Sequence, residues 1–172
     1  LARRTLGAGK PLVTANKAML AHHGLELAEA AEKAGLPLKY EAAVAGGIPV
    51  IKGLAEGAAA NRITRVYGLM NGTCNYILSR MEAEGLGFGD VLADAQALGF
   101  AEADPSFDID GIDTAHKLSI LAALAFGARI DFAGVACHGI RNVAAADIAQ
   151  AAALGFRIKL VGLAEAENGE LF

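Results

Sequence analysis

Glycine stands wherever the helical spacing of apolar side chains breaks off, and that punctuation limits the chain to short alternating elements. Ala115, Leu118, Leu121, Ala122 and Ala125 recur at helical spacing and Gly127 follows them, while Gly35 and Gly99 close two earlier stretches. Between these helical pieces lie short segments that read as strands, so the chain belongs to a mixed helix and strand class. Hydrophobic residues make up 54% of the 172, yet charges interrupt every apolar run before the length that a membrane crossing needs. Fifteen basic against nineteen acidic side chains give a net charge of −4, which argues against a nucleic-acid partner. Cys74 and Cys137 are the two cysteines, with no Cys-x-x-Cys or His-x-x-x-His grouping, so a reducing, cytoplasmic setting without zinc or disulfides is expected.

The pattern predicts the following elements. Leu12 to Thr14 is a strand, Asn16 caps a helix over 17–34, and Leu36 to Ala43 is a second strand. Pro49 opens a helix to about Glu56, and Arg62 to Met70 is a strand stopped by Asn71-Gly72. Thr73 then caps a helix to about Glu84; further helices cover 90–98, 112–126 and 147–154. Arg157 to Ala166 is a last strand, turning at Asn168-Gly169 into Glu170 to Phe172. The start without Met and the stop within a hairpin suggest a chain cut at both ends.

The densest polar stretch runs from Gly99 to Lys117 and holds Glu102, Asp104, Asp108, Asp110 and Asp113. Asp113 and Lys117 are four residues apart on one helix face, with the acid toward the N-terminus where the helix dipole favours it. By spacing alone the preferred reading is a solvated capping loop with a surface ion pair. The chemical reading has the acids holding a cationic substrate group while Lys117, kept charged by them, gives a proton to an oxygen.

The stretch Ala95-x-x-x-Gly99-Phe100-Ala101-x-x-Asp104-Pro105-x-x-Asp108-Ile109-x-Gly111-x-Asp113-x-x-x-Lys117 resembles the signature of homoserine dehydrogenase. Other pieces agree in order: Val13 to Lys17, Tyr40 to Pro49, Asn71-Gly72-Thr73-x-Asn75-Tyr76-Ile77-Leu78, Gly139-Ile140 and Leu154 to Leu160. The resemblance implies a Rossmann domain joined to a dimerising α+β catalytic domain, and reduction of L-aspartate 4-semialdehyde to L-homoserine with NAD(P)H. It makes Lys117 the proton donor, Glu102 and Asp113 the grip on the substrate amino group with Asp108 supporting them, and Gly72 and Thr73 contacts to substrate or cofactor. It places Lys17 and Gly99 by the cofactor, and Glu41, Val44, Gly46 and Ile48 as oxygen donors to a monovalent cation, Na+ or K+. The family more often has an acidic residue where Cys137-His138 precedes Gly139-Ile140.

The glycine-rich nucleotide motif is missing: Gly7-Ala8-Gly9 precedes its strand instead of following it. The expectation is therefore an α+β fold in which residues 1–35 end a Rossmann-type domain and 36–172 form most of the catalytic and dimerisation domain. A mixed or antiparallel sheet would join the strands near 37–43, 62–70 and 157–166, with helices on one face. The partners expected are a small-molecule substrate and a second copy of the chain, with no nucleic acid and no membrane. Two readings stay open besides: a non-catalytic dimerisation or amino-acid-binding module, and a thioester-forming dehydrogenase using Cys74 at a helix start. A buried, unreactive Cys74 is preferred over the latter, and His22, His23 and His116 read as plain helix residues.

Overall fold

The computed structural model describes residues 1–167 and the backbone of 170 and 171. It divides into two compact units: one holds Leu1–Val66, His116–Val135 and the residues from Leu163, the other Tyr67–Ala115 and Ala136–Gly162. Mixed helix and strand content is as the sequence pattern requires.

In the first unit, α1 (Ala2–Gly7) precedes β1 (Leu12–Val13), α2 (Lys17–Lys33) and β2 (Leu38–Lys39). β1 and β2 pair in parallel, Leu12 with Leu38, so α2 is the crossover that a parallel pair needs. Asn16 caps α2 as its type predicts, accepting from the Met19 N–H at 2.9 Å. Leu6, Leu27 and Ala31 are buried together, with Leu12, Leu36 and Leu38 against them.

The predicted strand over 36–43 is shorter than its alternation suggests. Only Leu38–Lys39 is strand; Glu41–Val44 is a helical turn, α3, and the segment pairs with β1 instead of the later strands. The reason lies ten residues on, where the Glu41 carboxylate accepts the N–H groups of Ile51 at 2.7 Å and Lys52 at 2.9 Å. Those donors begin α4 (Val50–Lys52), which runs into a π-helical turn, Gly53–Gly57. Turning the chain to bring Glu41 there ends the strand.

β3 (Arg65–Gly68) belongs to a second sheet, in the order β3, β4 (Gly162–Glu167), β5 (Glu170–Leu171). β4 and β5 are antiparallel, Glu167 opposite Glu170, while the predicted turn at Asn168-Gly169 lies outside the described residues. The last long strand begins at Gly162 and not at Arg157, because Asn75 takes up the backbone groups of Leu160 before the ladder starts.

The second unit packs α5 (Gly72–Glu84) on α6 (Phe88–Ala97), with α7 (Ser106–Ile109) and α9 (Ala145–Ala153) around α5. Cys74, Ile77, Leu78 and Met81 form the buried stripe of α5, meeting Val91 and Ala95 of α6 and Ile109, Ile140, Ile148 and Leu160. α8 (Ile112–Phe126), which belongs to the first unit from His116 onward, covers the span that its spacing predicts. Among the described residues no helix is long and apolar enough to cross a membrane.

Candidate active site

Helix α5 begins where Asn71, in extended conformation, lets its side-chain oxygen accept the Cys74 N–H at 2.8 Å. The N-cap is thus Asn71 and not the predicted Thr73, which sits inside the first turn. The other end of the same amide donates to Asp108 Oδ1 at 2.7 Å and to Asp113 Oδ2 at 3.1 Å. Asn71 and Asp113 are only 6% and 4% exposed. One neutral amide therefore holds a helix start with its oxygen and two carboxylates with its NH2 group. Two carboxylates gathered on one amide suit a cation beside them.

The loop carrying Asp108 is held from a second side. The Ile140 N–H donates to the Ile109 carbonyl at 2.8 Å, and the Cys137 thiol donates to the Asp110 carbonyl at 3.1 Å. Gly139 is pressed against the Ile109 carbonyl and the Asp110 backbone, where an added Cβ would lie 2.6 Å from the Asp110 Cα. Gly111 has φ +83°, and a Cβ there would stand 3.0 Å from the Cys137 sulfur. These contacts account for the Gly139-Ile140 pair and give Cys137 a structural place. The Arg141 guanidinium pairs with Asp110 and holds its carboxyl below the usual carboxylate range.

The predicted residues sort as follows. Asp108 and Asp113 are brought together through Asn71. Thr73 donates its hydroxyl to the Phe100 carbonyl at 3.0 Å, tying the start of α5 to the turn after Gly99, which has φ +76°. An added Cβ at Gly72 or at Gly99 would meet no heavy atom within 4 Å, so both backbones are open to a ligand. Glu102 is exposed, and its backbone carbonyl accepts from Gln96 at 3.0 Å. Lys117 is half-buried on α8, one helical turn after Asp113 in the chain, and Lys17 is the half-buried first residue of α2. Asn71 escaped the sequence reading as a site residue, although an Asn directly before a Gly-Thr helix start is a capping signal.

Cys74 is fully buried, its thiol donates to the Asp108 carbonyl at 3.1 Å, and its pKa is pushed up to about 12. Burial is the main cause, with the charges of Asp108, Asp113 and Asp110 adding to it. A thiol held neutral in this way is no nucleophile, which removes the basis of the thioester reading.

In the other unit, the carbonyl of Ile48 accepts from Val50 at 2.8 Å and both oxygens of Glu41 cap α4. His22 and His116 are in helices, their rings 5.2 Å apart and edge-on, with Phe132 packed against both. Among the described residues no three His, Cys, Asp or Glu side chains gather as metal ligands.

A family model, homoserine dehydrogenase, matches residues 49–170. The chain is 55% identical over 161 residues to the homoserine dehydrogenase of Synechocystis sp., covering 94% of this chain and 37% of that protein. It is similarly 55% identical over 156 residues to that of Pseudomonas aeruginosa, covering 91% and 36%. The crystal structure of a homoserine dehydrogenase from Thiobacillus denitrificans superposes with a TM-score of 0.97 at 49% identity, over 99% of this chain and 39% of that one. A hyperthermophilic archaeal homoserine dehydrogenase in complex with NADPH gives 0.81 at 30% identity, over 99% and 49%. The chain thus spans a little over a third of the curated relatives quoted. With a matched model over most of its length and this degree of identity, the chain belongs to the homoserine dehydrogenase family.

Proposed function

We propose that this chain is the larger part of the catalytic domain of an enzyme that interconverts L-aspartate 4-semialdehyde and L-homoserine with NAD(P)H. The observation that carries the reading is the pair formed by half-buried Asp108 and buried Asp113 on the amide of Asn71, at the start of α5. Two carboxylates gathered on one amide suit an ammonium group, and both possible substrates carry one.

Asp108 and Asp113, with Glu102 from the exposed turn, hold the substrate amino group. The backbone N–H groups of Gly72 and Thr73 meet the carboxylate at the N-terminal end of a thirteen-residue helix, where anions are favoured. Lys117 gives a proton to the aldehyde oxygen in reduction and takes it back in oxidation. Lys17 and Gly99 face the cofactor, and the open turn at Gly99 leaves room for it. When bound, NAD(P)H supplies the hydride.

Glu41, Val44, Gly46 and Ile48 offer one carboxylate and three backbone carbonyls, an all-oxygen set whose chemistry fits Na+ or K+. An ion there would share Glu41 with the N–H groups of Ile51 and Lys52. Residues 1–35 close a nucleotide-binding domain, a reading supported by the succession of β1 and the capped helix α2, and 36–172 form the catalytic part. A homodimer is supported by Tyr67, Leu69, Leu154 and Phe156, each more than 60% exposed.

The test is an assay of the full-length protein for NAD(P)-dependent oxidation of L-homoserine. Turnover is expected, and its absence with both nicotinamide cofactors overturns the reading.

A further inference from the structure

Arg141 is assigned no part in the site, yet it grips both ends of the short helix that carries Asp108. Its Nε donates to Asp110 Oδ1, and its Nη2 donates to Asp110 Oδ2 at 3.0 Å and to Ser106 Oγ at 2.8 Å. Ser106 begins α7 and Asp110 caps its C-terminus, so Asp108 lies between the two anchors.

We propose that Arg141 is a positioning residue, fixing α7 so that the Asp108 carboxylate is presented to Asn71 and to the amino group of an amino-acid substrate. A helix of four residues has no stability of its own, because nucleation outweighs the single turn of bonds gained. α7 must therefore be held from outside. The guanidinium spans Ser106 and Asp110 as a rigid fork, which a lysine ammonium on a flexible stem does not reproduce.

Magnitudes separate this role from a stabilising one. The Arg141 and Asp110 side chains are 46% and 41% exposed, and exposed ion pairs contribute little to global stability. Losing the pair should consequently loosen the loop and weaken substrate binding while the fold stays intact. This inference rests on the reading of Asp108 as part of the ammonium grip.

The experiment is steady-state oxidation of L-homoserine by the full-length protein. Arg141→Ala is expected to raise KM for L-homoserine about tenfold, with KM for the cofactor within twofold and Tm within about 2 °C. Asp110→Asn should reproduce that split, Arg141→Lys should recover only part of it, and the double variant should be no worse than either single change. Unchanged KM in Arg141→Ala overturns the proposal, as does a parallel loss in kcat and both KM values with a fall in Tm, or additive effects in the double variant. A wild type inactive on L-homoserine overturns the proposed function and takes the substrate half of this inference with it. An active wild type with a normal Arg141→Ala variant overturns this inference alone.

Discussion

The amide of Asn71 reaches Asp113 across 42 residues of sequence and donates to it at 3.1 Å. Asn71→Ala removes the cap of α5, a loss of about 1 kcal/mol, and leaves Asp108 and Asp113 without their shared donor. Asn71→Asp keeps the cap but brings a third carboxylate against the other two, so its urea midpoint should fall below that of Asn71→Ala. An Asp variant as stable as wild type would show that the three groups do not meet.

Lys117→Ala in the full-length protein should lower kcat by about a hundredfold to ten-thousandfold, the range associated with losing a positioned acid or base. Cofactor affinity, read by fluorescence titration, should stay within twofold. Near-normal turnover would remove Lys117 from the chemistry.

Gly139→Ala tests the packing of the 137–141 segment on the acidic loop. The new methyl group would meet the backbone of Ile109 and Asp110, neither of which is a flexible side-chain end. A loss of about 2–3 kcal/mol is expected in equilibrium unfolding, as for overpacking in a filled interior. Gly7→Ala, where an added Cβ meets nothing within 4 Å, is the control and should change stability by less than about 1 kcal/mol.

The pKa of Cys74, raised to about 12 from 9.0, has a consequence for stability. In the unfolded chain the thiol ionises near pH 9.0, whereas in the folded chain it stays protonated, so folding is favoured below pH 9 and loses that advantage as pH rises toward 12. Stability should decline from about pH 9 upward, and Cys74→Ala should flatten that part of the profile. Iodoacetamide at pH 8 should modify Cys74 only as the protein unfolds, while Cys74→Ser retains turnover. Fast alkylation of Cys74 in the native protein would contradict its burial.

Much of this was legible in the order of residues where one local rule decides the outcome. The apolar spacing from Ala115 to Ala125 places α8, and Asn16 marks the start of α2 as a capping residue should. The acidic stretch reads as a site because its residue types are dense and close in sequence. The missed features depend on partners far along the chain. Nothing near Tyr40 shows that Glu41 will cap a helix ten residues later, and nothing near Lys159 shows that Asn75 will displace a strand start. Arg141 was invisible for the same reason, since its contacts with Asp110 and Ser106 span 31 and 35 residues.

Asn75 donates to the carbonyl of Leu160 and accepts from its N–H, so a side chain in the first turn of α5 plays the part of a neighbouring strand for a residue 85 positions later. During synthesis that link has no counterpart until Leu160 has left the ribosome. The helix start that carries Asn71 therefore waits, with its surroundings unfinished, through the translation of about half the chain.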